Sequence, residues 1–100
     1  MFLIQVTYIK SIQEVDNHLV DHRAFLDKYY AAGNLICSGP CNPRTGGIIL
    51  CNAKSIDEVW SIIHQDPFHI NGIASYDVIE FNPIKFAKGF EPFIKFESNN

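Results

Sequence analysis

The chain has 100 residues, 47% of them apolar, with eight Phe and a net charge of -3. That is the size of a single domain with one core, and it is too apolar for a disordered chain. The acidic balance gives no electrostatic reason to expect nucleic acid or an anionic membrane surface, and no apolar run is long enough to span a bilayer.

The stretch Met1 to Lys10 has no basic region before its short apolar run, so it does not read as a signal peptide. Three cysteines, an odd number, fit reduced thiols better than a disulfide framework, and the expected compartment is the cytosol. Cys37 and Cys41, with Cys51 across a hairpin, are expected to be buried free thiols rather than zinc ligands or a bridge.

Phe2 to Ile9 is rich in β-formers and predicts a first strand. A polar stretch, Lys10 to Asn17, leads into a helix that starts at Ser11 or near Asp16. Val15, Leu19, His22, Leu26 and Tyr29 then follow helical spacing, and Gly33 supplies the stop. His22 lies on that apolar stripe. Leu35 to Ser38 and Ile48 to Ala53 predict two strands of a hairpin, joined through Gly39-Pro40 and a loop from Cys41 to Gly47.

Ser55 with Glu58 predicts a capping box, and Ile56, Val59, Trp60 and Ile63 predict the inward stripe of a second helix. The next place on that stripe falls at Asp66 or Pro67, where Pro67 ends the helix. A carboxylate at the end of an inward stripe needs a partner, because burying an unpaired charge is costly. Ile73 to Phe81 predicts a fourth strand.

The motif Phe81-Asn82-Pro83-Ile84-Lys85-Phe86 is echoed by Phe90-Glu91-Pro92-Phe93-Ile94-Lys95-Phe96. The expected division is therefore a domain over 1–83 and an aromatic tail over 84–100. That tail is expected to pack as an arm or extra strand on its own subunit or on a partner.

The order βαββαβ is the ferredoxin-like α+β pattern, an antiparallel sheet with two helices on one face. In that topology the helices run opposite ways, and the start of the first lies beside the end of the second. His22, Asp66, Phe68 and the end of the second strand, Ser38-Gly39-Pro40, therefore converge on one rim. Thr7 and Tyr8, at the end of the first strand, are further candidates there. Adjacent residues Ile48, Ile49 and Leu50 give apolar side chains to both sheet faces, and the helices cover only one. A homodimer is the expected solution.

The ordered set of motifs resembles the YciI-like (YCII-related) family. It comprises His22, Arg23 and Leu26, then Gly33-Asn34-Leu35-Ile36-Cys37-Ser38-Gly39-Pro40, then Gly46-Gly47, Asp66-Pro67-Phe68 and Gly72, covering roughly residues 1–83. The resemblance implies a dimeric α/β-barrel type of fold and a His-Asp pair, here His22 and Asp66, in a cleft. Some relatives act on small aromatic or dienelactone-like compounds, including elimination of chloride from a chlorinated hydroxyquinol. Two positions depart from the pattern. Many relatives carry an Arg three residues before the His, where this chain has Leu19. Many end strand four in Pro-Phe, where this chain has Asn82-Pro83-Ile84. An oxyanion-binding role for that Arg does not carry over.

A carboxylate that fixes an imidazole tautomer and stabilises its protonated form lets the other ring nitrogen move a substrate proton. A helix C-terminus at Asp66 would also favour a protonated His22. Ser38 is read as a hydrogen-bond donor to a ligand, since no strained nucleophile elbow surrounds it, and Gly39 as a point of close backbone approach. His64, Asp66 and His69 have metal-ligand residue types, but the Pro67 break puts them on no regular element, so no metal is expected.

Arg44, in the hairpin loop, could reach an anionic substrate but is read as a solvated charge, and Trp60, Tyr29 and Tyr30 are read as core. The functional expectation is a lyase- or isomerase-like enzyme, with His22 and Asp66 moving a proton on a small cyclic or aromatic substrate and no cofactor. Two alternatives stay open: a cleft that binds a metabolite without turnover, and a structural accessory subunit.

Overall fold

The computed structural model describes residues 1–94. Its elements are β1 (Phe2–Tyr8), α1 (Ile12–Asn17), α2 (Leu19–Ala31), β2 (Leu35–Pro40), β3 (Gly46–Cys51), α3 (Ile56–Ile63), α4 (Pro67–Ile70), β4 (Ala74–Glu80) and a 3-10 turn over Glu91–Phe93. The four strands form one antiparallel sheet in the order β2-β3-β1-β4, the ferredoxin-like order.

The first expected helix is divided into α1 and α2, and an unexpected short helix, α4, follows the second. Ser11 caps α1 by accepting from the Glu14 N–H, and the chain leaves helical geometry at His18 before α2 begins. Gly33, at φ 85°, ends α2 in the left-handed region that glycine enters without strain. Ser55 caps α3 through the Glu58 N–H. The Glu58 carboxylate does not close the expected capping box on Ser55. It accepts from the Lys54 N–H and the Asn34 side chain instead.

Strand alternation sets the core. Phe2, Ile4 and Val6 point to the helix side with Ile49, Cys51 and Ala74, and Val15, Phe25, Val59, Ile62, Ile63 and Phe68 close over them. The buried stripe of α3 is Val59, Ile62 and Ile63; Ile56 is exposed. On the other sheet face Leu3, Ile48 and Leu50 are half-buried and Ile79 is exposed.

The β1–β3 pair is unusually close at one point. A Cβ on Gly46 would stand 1.8 Å from the Val6 carbonyl oxygen, an impossible approach. Gly46→Ala therefore has to push β1 and β3 apart. The expected loss is about 3 kcal/mol or more, read as a lower urea midpoint. A midpoint equal to wild type would mean the strands are not this close.

The tail continues from Phe81, whose N–H donates to the Met1 carbonyl. Phe86, Phe90 and Phe93 form a chain of ring contacts at 5.8 and 5.4 Å. Asn52, buried at 1% exposure, donates its side-chain amide to the Phe93 carbonyl at 2.5 Å. The tail thus touches its own chain as an irregular arm, with no strand among its described residues. Residues 95–100 of the expected tail lie outside the described residues.

Candidate functional site

Asp66 is completely buried, and both oxygens of its carboxylate are used. Its Oδ1 accepts from the Phe68 N–H at 3.0 Å and bonds the His22 Nδ1 at 2.8 Å. Its Oδ2 accepts from the Tyr76 hydroxyl at 2.7 Å. Three donors on one carboxylate supply the compensation that a buried charge requires.

The local sequence explains why Asp66 sits there. After α3 ends, Asp66 adopts extended angles and becomes the N-cap of α4, with Pro67 at the first helical position, where its missing N–H is no loss. Asp66 follows the C-terminus of α3, as expected, with its N–H donating to the Ile63 carbonyl, and it has a second role that was not expected. Its side chain caps the N-terminus of a new short helix, α4, by accepting from the Phe68 N–H.

His22 reaches Asp66 from the start of α2, with its side chain 13% exposed. Its ring lies parallel to Phe68, centroids 4.0 Å apart and planes 2° from parallel. Phe68 in turn meets Tyr8 edge-on at 6.0 Å. A carboxylate only accepts, so Nδ1 carries the proton toward Asp66 and Nε2 keeps its lone pair in the neutral ring. Nε2 has no hydrogen-bond partner among the described residues.

A cavity of about 350 Å³ adjoins this ring. His22, Ser38, Gly39, Pro40 and Phe68 all line it, as the topology predicts. Thr7 does not, which corrects its candidacy. Residues of β1 alternate between faces, so Thr7 points to the side away from the helices while Tyr8 turns into the cavity. Asp66 lies behind the wall. Ser38 shares a 2.7 Å hydrogen bond with the Tyr30 hydroxyl. Tyr30 is exposed rather than core. Gly39 meets nothing that would bar a Cβ, so close packing is not what a glycine serves there.

Two roles escaped the sequence reading, those of Tyr76 and Arg23, and a third residue, Arg44, is not the solvated loop charge it was read as. Tyr76 supports Asp66 from β4, and burial first, then the adjacent Asp66 charge and their hydrogen bond, push its pKa up, so its hydroxyl stays a donor. Its period-two register with Ala74 and Val78 marked the inward face, but no motif pointed to a carboxylate there. Arg23 lines the cavity beside His22. Arg44 lines it too: the β2–β3 loop is pinned by Cys41 N–H to the Gly46 carbonyl and Tyr8 N–H to the Thr45 carbonyl, both at 2.9 Å. Its guanidinium lies 5.8 Å from the Tyr8 ring centre and pairs with Asp16 at 2.7 Å.

The remaining polar candidates lie outside this site. His64 and His69 approach each other at 4.9 Å, and His69 meets Tyr76 at 5.7 Å. Among the described residues no group of three or more His, Cys, Asp or Glu is placed to hold a metal. The cysteines are free. Cys51 is buried, and burial first, then Glu58, pushes its thiol up to about 11. Cys37 is exposed, against the expectation of a buried thiol.

Over residues 1–82 the sequence matches the profile of the YCII-related domain. It is 33% identical over 64 residues to the Bacillus subtilis (strain 168) protein YjpA, spanning 64% of this chain and 75% of that one. The fold is similar to that of 5-chloro-2-hydroxyhydroquinone dehydrochlorinase (TftG) from Burkholderia phenoliruptrix AC1100, whose solved structure holds 2,5-dihydroxybenzoquinone. There the TM-score is 0.71 at 26% identity, covering 81% of this chain and 92% of that chain.

Proposed function

The chain belongs to the YCII-related domain family, and from that premise we propose that it is a lyase- or isomerase-type enzyme acting on a small cyclic or aromatic substrate. The observation that carries this is the 2.8 Å contact between His22 and a sealed Asp66 beside an open cavity. Nε2 takes a proton from an acidic O–H or C–H of the ring. The electron pair left behind moves through the ring. In isomerisation it is reprotonated at another carbon; in elimination from a hydroxylated ring, that reprotonation makes the halogen-bearing carbon tetrahedral, and loss of a second O–H proton then expels the halide, with net loss of HX and formation of a quinone. Asp66 stabilises the imidazolium formed in the first step. The similarity to a dehydrochlorinase of an aromatic substrate supports this reaction class.

The test is chloride release from halogenated hydroxyhydroquinones, including 5-chloro-2-hydroxyhydroquinone, by wild type and His22→Gln. Release by wild type that collapses in the variant is expected. Equal rates in both would overturn the role of His22. Compartment and assembly belong to the same reading. Three free cysteines fit the reducing cytosol, and no helix of the described residues is long and apolar enough to cross a membrane. The uncovered sheet face of Leu3, Ile48, Leu50 and Ile79 supports a homodimer. Light scattering at micromolar concentration is expected to give about twice 11.4 kDa, and a clean monomer would overturn the dimer.

A further inference from the structure

The cavity wall carries positive charge and no carboxylate. Its lining includes Arg23 and Arg44, while Asp66 is sealed behind the wall and committed to three donors. The two cations differ. Arg44 is offset by Asp16 at 2.7 Å. Arg23 makes no ion pair or hydrogen bond with any described residue. Leu19, His22, Arg23 and Leu26 fall at the spacing of one helical face, so Arg23 borders the same opening as the base. The rest of the wall is largely apolar, with Val6, Leu26, Ile49 and Phe68 suited to the faces of a ring.

Arg23 is exposed at the edge of the cavity, so a neutral ring leaves its guanidinium in water and gains nothing from it. A ring bearing a carboxylate would pair with the guanidinium, two parallel N–H donors facing two oxygens. Resting on the reading of the cavity as a site for a small cyclic substrate, we propose that the ligand is an aromatic ring bearing a carboxylate, and that Arg23 selects for that charge. Arg44 contributes less, because Asp16 already offsets it.

The test compares 2,5-dihydroxybenzoate with hydroquinone, the same ring without the carboxylate, by NMR titration of the protein. Wild type is expected to bind the carboxylated ring about tenfold tighter or more. Arg23→Gln is expected to remove about that factor for the carboxylated ring and leave hydroquinone unchanged, and Arg44→Gln to remove less. Equal affinities in wild type, no detectable binding of the carboxylated ring at millimolar concentration, or an unchanged preference in Arg23→Gln would each overturn the proposal.

His22→Gln separates this inference from the catalytic reading. The Arg23-dependent preference is expected to survive in that variant while turnover does not. Preference without turnover in wild type would sink the catalytic reading alone. Turnover confined to neutral rings would sink this inference alone.

Discussion

Asp66→Ala lowers the stability of the fold by about 3–5 kcal/mol in a urea titration, the largest loss expected from truncating any side chain of the site. The substitution removes one acceptor from three donors at once. The Phe68 N–H loses its cap, the Tyr76 hydroxyl is left half-buried without a partner, and His22 loses the group that holds its ring. Asp66→Asn is milder, about 1–2 kcal/mol. Its amide oxygen can still accept at the Oδ1 position, and its NH2 can donate to the Tyr76 oxygen. The order Ala worse than Asn is thus a signature of the arrangement. An alanine variant within about 0.5 kcal/mol of wild type would mean the carboxylate supports nothing.

The second large effect is kinetic. On any substrate that the wild type turns over, His22→Ala is expected to lower kcat by about 10²–10⁴, the usual worth of a positioned acid-base group. Asp66→Asn keeps the cap but removes the negative charge that stabilises the protonated ring, so it falls in the same range. In the proposed mechanism the two side chains act as one unit, joined by a single 2.8 Å bond. The double variant should therefore be no more than a few-fold slower than the worse single one. Losses that multiply instead would show two independent roles and remove the case for a dyad.

Much of this site was legible because two apolar stripes are each interrupted by one polar residue. His22 sits among Leu19, Leu26 and Tyr29, and Asp66 follows the stripe of α3; the βαββαβ order then brings the two ends together. What the sequence hid has physical reasons. A four-residue helix is too short for periodicity to reveal, so α4 vanished behind Pro67, although an Asp directly before Pro is a legitimate N-cap signature. Ile56 and Ile62 compete for one stripe, and only packing against the sheet decides that Ile62 is inside. Thr7 and Tyr8 cannot share a face, and the inward series Phe2, Ile4, Val6 already assigned Tyr8 to the cavity. Arg44 was opaque for a different reason. A loop residue is placed by long-range hydrogen bonds, and those leave no local pattern.

One carboxylate that caps a helix, anchors a tyrosine and holds a histidine constrains how such a chain can diverge. A lineage that stopped using the cavity would remain under pressure to keep Asp66, because α4 and Tyr76 depend on it. His22 would be under no such pressure, since its half-buried ring can be replaced by another flat or apolar side chain against Phe68. Asp-Pro-Phe alone would then mark inherited architecture. If the proposed proton transfer holds, only its pairing with a histidine on the facing helix would mark retained chemistry, and descendants could be sorted into working and lapsed copies by reading one position.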